Sequence, residues 1–456
     1  MIPTIEQKMK SAPAGRDWYL ANFELFEKNL NGEASSHVHA IRKTAIARFA
    51  ELGFPTTKNE EWKYTDVSGL TKLRFAPVLR PRVDALRVKD IEQFTFKDLS
   101  CYRLVCVNGQ YSKELSSIPL LRSGVIVESL AHAMKHNPGP VRNHLAQYAR
   151  FDENAFTALS TAFMQDGACI SIPDGLALDK PIHLLFVSTH HDSEHVSHPR
   201  ILVVVGKSAQ VSIIESYESL SKCAYFTNAV SEVVIGENAV VEHDKLQNES
   251  DGAFHIAALH VHQERNSSFT SNNISLGGLL VRNTIEAVLD GDGAECTLNG
   301  LYLTTGLQLV DNHTTIDHAK PHCPSHELYK GILSGKSRGV FNGKIKVRKD
   351  AQKTDAKQTN KNLVLSDDAS IDTKPQLEIF ANDVRCTHGA TIGQLDEEAM
   401  FYLRSRGVGL DEARNILIYA FASDVVERIH VEPLRKQLLG MIDKRLKSDG
   451  TLPVLR

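Results

Sequence analysis

"GKSAQV" at 206–211, "GENAVV" at 236–241 and "GDGAEC" at 291–296 repeat one phrase. Each is a turn followed by a small residue (Ala209, Ala239, Ala294) and then an inward-pointing apolar one. A degenerate fourth copy, "SDDASI", stands at 366–371. The separations lie near 30 residues or multiples of it, the spacing of stacked coils in a solenoid. Around them, from about residue 166 to 393, short β-branched runs are broken by Gly, Asn, Asp and Ser, with almost no helical period. A β-sandwich also has many short strands, but it predicts no recurring turn–Ala–x–Val phrase. The expected fold is mainly β, a parallel β-helix.

Helical signals flank this core. Tyr19, Phe23, Phe26 and Leu30 form one apolar stripe, and Val38, Ile41, Ala45, Phe49 and Leu52 another, with Ser35 and Ser36 as caps and Gly53 as stop. "NEEWKYTDV" (59–67) shows no clear period, and residues 101–170 mix strand-like and helical stretches. Past 394, "LDEEAMFYLRSRG" has Asp396 as cap and Gly407 as stop. "LDEARNILIYAFASDVVERI" repeats the pattern, with Asp411 as cap and Ile416, Leu417, Ala420 and Phe421 on one face. Pro433 then opens a third helix. The expected domains are 1–165, helical and mixed; 166–393, the β-helix; and 394–456, helical.

Bulk composition excludes several functions. Among 456 residues, 52 basic and 55 acidic ones nearly cancel, so no global field favours nucleic acid or an acidic membrane. No apolar run approaches the ~18 residues of a transmembrane helix, and the first residues lack the apolar core of a secretory signal. Seven cysteines without a CxxC pair suit reduced thiols in a cytoplasmic setting.

Several stretches resemble chemical motifs. "YKGILSGKSRG" (329–339) looks like a phosphate loop, but three residues rather than four separate Gly331 from Gly335, and a strand-like run follows. Nucleotide energy must then come from a partner. His190, His191, His195 and His198 cluster in "THHDSEHVSH" without the spacing of a closed ligand set, as in a solvated turn. His260 and His262 share a strand face expected to be external. "DNHTTIDHAKPHCPSHE" (311–327), with four histidines and Cys323, ranks second as a site region. Lys344, Lys346 and Arg348 alternate with Ile345 and Val347, which makes a solvated basic face; it lacks the aromatics that stack bases.

The first-ranked region is "DVRCTHGATIG" (383–393). In a strand, Cys386 and His388 share a face with Val384, while Arg385 and Thr387 take the other. Cys386 reads equally well as a buried thiol. His388, if buried, needs hydrogen-bond partners or a ligand role.

The segment 341–407 closely resembles the core of the SufB/SufD family, scaffolds of SUF iron–sulfur cluster assembly. "NEEWKYTD", "VDNHTTIDH", "LEIFANDV" and "CTHGAT" are more similar to its SufD branch than to its SufB branch. The resemblance spans most of 59–430 and implies a right-handed parallel β-helix flanked by helices. It implies a non-catalytic subunit that pairs with SufB through the β-helix end and binds the ABC-type ATPase SufC, with a homodimer possible in isolation. It also implies that His388, with Cys386 nearby, assembles a transient nascent iron–sulfur cluster shared with SufB. Two other classes compete. A carbohydrate-active β-helix enzyme needs a ladder of carboxylates that is not visible. A Cys–His hydrolase needs His388 to reach the Cys386 thiol.

Overall fold

The computed structural model describes residues 12–30, 36–79, 86–190 and 194–448; Ser35 and His191 lie outside them. From Gly167 to Gly393 the chain alternates between two sheets, winding a parallel β-solenoid of about seven turns. Gln210 pairs with Val240, Val240 with Ser268, and Ser268 with Glu295, one coil per step. The repeat is therefore roughly the 30 residues expected.

The corner explains the repeated phrase. Ser208, Asn238, Asn266, Gly293, His322 and Lys353 all have positive φ. Each is followed by a small residue with almost no exposure: Ala209, Ala239, Ser267, Ala294, Cys323 and Thr354. The left-handed residue turns the chain, and the small one fits beneath the next coil. Three coils escaped the sequence pattern because Ser, Cys and Thr stand in for Ala. "SDDASI" is a different corner: Ala369 leads into Ser370–Ile379, in the other sheet. The "GKS" of 335–337 is that same second corner one coil earlier, and the strand Arg338–Val347 follows it instead of a helix.

The sheets start before residue 166. Tyr102–Val107 pairs in parallel with Ile182–Ser188, and Ile126–Ser129 lies antiparallel to Gly167–Ile172. Gln110–Ser117 closes the ten-stranded sheet, also antiparallel. This end of the solenoid is blunted by reversed strands, as edges usually are. The other end is formed by Ser370–Ile379 and Arg385–Gly393, each bonded to one neighbour only.

Helices Arg16–Lys28 and His37–Leu52 bury the expected Tyr19, Phe23, Phe26, Ala45 and Phe49. Ser36 caps the second by accepting from the His39 backbone N–H. With Ala155–Phe163 they build an aromatic cluster that reaches the solenoid wall through Phe226 and Phe254.

At the other terminus Asp396 caps Glu397–Ser405 as expected, yet that helix buries none of its residues. Leu410–Val426 starts two residues earlier than expected, so Asp411 lies in its first turn and Gly409 is the cap. Its buried face is Ala413, Ile418, Ala422, Val425 and Val426, not the expected one; Ile416 is exposed. Apolar residues surround this helix on most sides, so the partner selects the face. That partner is Leu246, Ile274, Leu301 and Ile332 on the outer wall of the ten-stranded sheet, shared with Leu434, Leu438 and Ile442 of Glu432–Ser448. Each such buried Leu or Ile contributes about 1.5–3 kcal/mol.

Candidate functional site

Arg385–Gly393 is the final strand of the ten-stranded sheet, in register with Asp355–Val364. Cys386 pairs with Ala356 and His388 with Gln358, whose side chains are buried inside the solenoid. Cys386 and His388 thus take the inward-facing side, as the two-residue period requires. His388 is nevertheless exposed, because no further coil covers it. Cys386 is partly buried against Ile345, Val347, Ala351, Ala356 and Ala381.

Burial raises the Cys386 thiol above its usual range, opposed by the Ala356 backbone and helped by Asp355. A raised thiol stays protonated and is a poor nucleophile. The structure records no hydrogen bond between Cys386 and His388, among the described residues. Both facts weigh against a Cys–His hydrolase. Nor, among the described residues, do three His, Cys, Asp or Glu side chains converge to hold a metal ion.

This end of the solenoid is open. Two unpaired strand edges lie side by side, with Ile379, Phe380 and Ile392 exposed along them. Phe380 is 61% exposed. Unblunted edges of this kind invite pairing with another chain.

The other histidine-rich stretches disperse. His195 and His198 are buried, not solvated, stacking on Tyr225 and Phe163. Burial pushes His198 down to about 3. His190 lies 3.5 Å from the exposed Cys223. His260 is on an outer face but covered, against Glu286. In 311–327, His318 points inward to Ser325 and Cys323 is core, whereas His313 points outward. Strand alternation and coil spacing separate them.

His313 belongs to a network that the sequence concealed. "NEEWKYTD" straps the outer wall of the eleven-stranded sheet. Trp62 stacks on the Arg282 guanidinium at 3.8 Å; Arg282 and Thr65 bind Asp311 at 2.7 and 2.5 Å; Glu61 meets His313 at 3.4 Å. Glu60 pairs with Lys374 on the terminal strand Ser370–Ile379. The strap and the wall enclose a cleft of about 500 Å³, where Lys344 and Lys346 pair with Glu378 and Asp317. His313 holds Glu61 at about 2, well below the usual carboxylate range. No helix among the described residues is long and apolar enough to cross a membrane.

Comparison with known proteins follows the same lines. Residues 186–421 match the family described as "SUF system FeS cluster assembly, SufBD core domain", and residues 14–184 match "SufBD protein N-terminal region". An iron–sulfur cluster assembly SufBD family protein of Synechocystis sp. is 37% identical over 91% of this chain and 93% of its own. The iron–sulfur cluster assembly protein SufD of Escherichia coli is 32% identical over 96% and 97%, and that of Bacillus subtilis 28% over 89% and 93%. Two matched regions spanning solenoid and flanking helices, and full-length relatives above 30% identity, settle the family: the chain belongs to the SufBD family of SUF iron–sulfur cluster assembly proteins.

Proposed function

We propose that this chain is a SufD-type, non-catalytic scaffold subunit that pairs with SufB and binds the SufC ATPase. In this reading a nascent iron–sulfur cluster forms between the two solenoid ends, with His388 as a ligand on this side. The observation that supports it is the open end: an exposed imidazole on an edge strand, flanked by uncovered apolar residues, in a chain without a complete ligand set among the described residues. Imidazole suits iron, and a neutral nitrogen beside a partner's thiolate holds a cluster less firmly than four thiolates do. A weak grip lets the scaffold release its product. Cys386, protonated and packed, has a secondary role.

For SufC, the helix Glu397–Ser405 offers exposed Phe401 and Tyr402 and buries nothing of its own. Co-expression of tagged chain with SufB and SufC tests both contacts. Phe380→Asp with Ile392→Lys should abolish SufB capture and leave SufC bound. Phe401→Ser with Tyr402→Ser should do the reverse. Wild-type capture by both double variants would place the contacts elsewhere and overturn this reading.

A further inference from the structure

The inward row that ends at His388 runs, coil by coil, through Leu298, Glu327 and Gln358. Glu327 and Gln358 are almost completely buried, at 3% and 2% exposure. Most polar groups buried in a protein have their hydrogen bonds met, and an unmet one calls for an explanation. Gln358 meets one of them: its Nε2 donates to Glu327 Oε2 at 2.7 Å. The opposite wall is cut away to admit it, since a Cβ on Gly343 would lie 2.2 Å from that same nitrogen. The amide is therefore clamped from two sides. Its other end is not satisfied: Gln358 Oε1 is buried and has no partner among the described residues. The next side chain in the row, about 4.8 Å further at the Cα, is His388. An imidazole N–H is the donor this oxygen lacks.

We propose that Gln358, clamped by Glu327 and the Gly343 notch, is a positioning residue for His388, accepting one imidazole N–H and leaving the other ring nitrogen free at the open edge. This rests on the reading of His388 as a cluster ligand. A histidine held through its second nitrogen has one tautomer and one ring orientation. An imidazole on a bare edge strand has neither fixed.

The test uses two variants: Gln358→Met, which keeps the volume and removes the acceptor, and Gly343→Ala, which displaces the amide from across the lumen. Imidazole ¹⁵N shifts in the folded chain, with the His388 signal assigned by its loss in His388→Ala, should show one dominant neutral tautomer. Either variant should give a mixture, and in the complex with SufB and SufC should lower iron and sulfide loading about tenfold, the usual scale for such a support. A wild-type tautomer signal and loading in whichever variant folds would overturn the inference. If His388→Ala abolishes loading while both variants behave as wild type, only the role of Gln358 falls. If His388→Ala loads normally, the reading of His388 falls first.

Discussion

Gln358 and His388 are partners in register on adjacent strands, yet one is almost completely buried and the other is exposed. Nothing in their local sequence separates them. The difference is that Gln358 has a coil on either side and His388 has a coil on one. The solenoid stops with its interior row still polar, and that places a ligand-type side chain where a second molecule can reach it.

Corner packing is the simplest part of the account to test. Ala239 sits between Ala209 and Ser267 at the same corner, all with no exposure. Ala239→Glu buries an unpaired charge and should cost several kcal/mol. Ala239→Ser should be nearly neutral, because the next coil already holds serine there. Thermal melts of both variants decide it; an unchanged Tm for the glutamate variant contradicts the assigned corner.

The strap makes a second prediction. Asp311→Ala leaves the buried Arg282 guanidinium with the Glu61 carbonyl and the Trp62 ring. Breaking a buried pair this way should cost about 3–5 kcal/mol by urea unfolding. In a double-mutant cycle, Arg282→Met should recover part of that loss.

Acid should destabilise the fold through buried histidines. Burial lowers His183 and His198 to about 3 from an ordinary 6.5. Their folded state prefers the neutral ring, so stability is present above 6.5 and is lost as the pH falls toward 3. Each can contribute up to about 1.4 kcal/mol per pH unit over that window. Glu327, raised to about 7 by burial, has the opposite sign: its contribution is present below 4.5 and lost as pH rises through 7. Urea midpoints from pH 7 to 5 should fall more gently for His183→Asn than for wild type. Parallel slopes would show that His183 does not titrate with unfolding.

The last two C-terminal helices, Leu410–Val426 and Glu432–Ser448, are part of the core and not a detachable module. Lys330 reaches from the sheet to Asp424 at 2.6 Å and to the Phe421 carbonyl at 3.0 Å, beside a wall of Leu and Ile. Removing residues 410–456 should therefore yield insoluble or dye-binding protein. Folded, soluble truncated protein would contradict this packing.

The coil repeat was legible because three corners happen to use Ala after the turn. Ser267, Cys323 and Thr354 do the same job by size, which a search for one phrase misses. The pairing of Cys386 with His388 on one face followed from alternation alone. Exposure did not follow, since it depends on whether another coil comes next. Trp62 and Arg282 lie 220 residues apart, and only the folded wall brings them together. Gln358 was within reach of the sequence: one coil-length back from His388 stands an amide, and one coil further back the carboxyl of Glu327.

The most direct measurement is the iron and acid-labile sulfide content of the purified complex carrying His388→Ala, alongside complementation of a strain lacking SUF function. The account predicts a correctly assembled complex with SufB and SufC that contains little iron or sulfide and does not complement, while Cys386→Ser retains much of both. Normal cluster loading and full complementation by His388→Ala would contradict it.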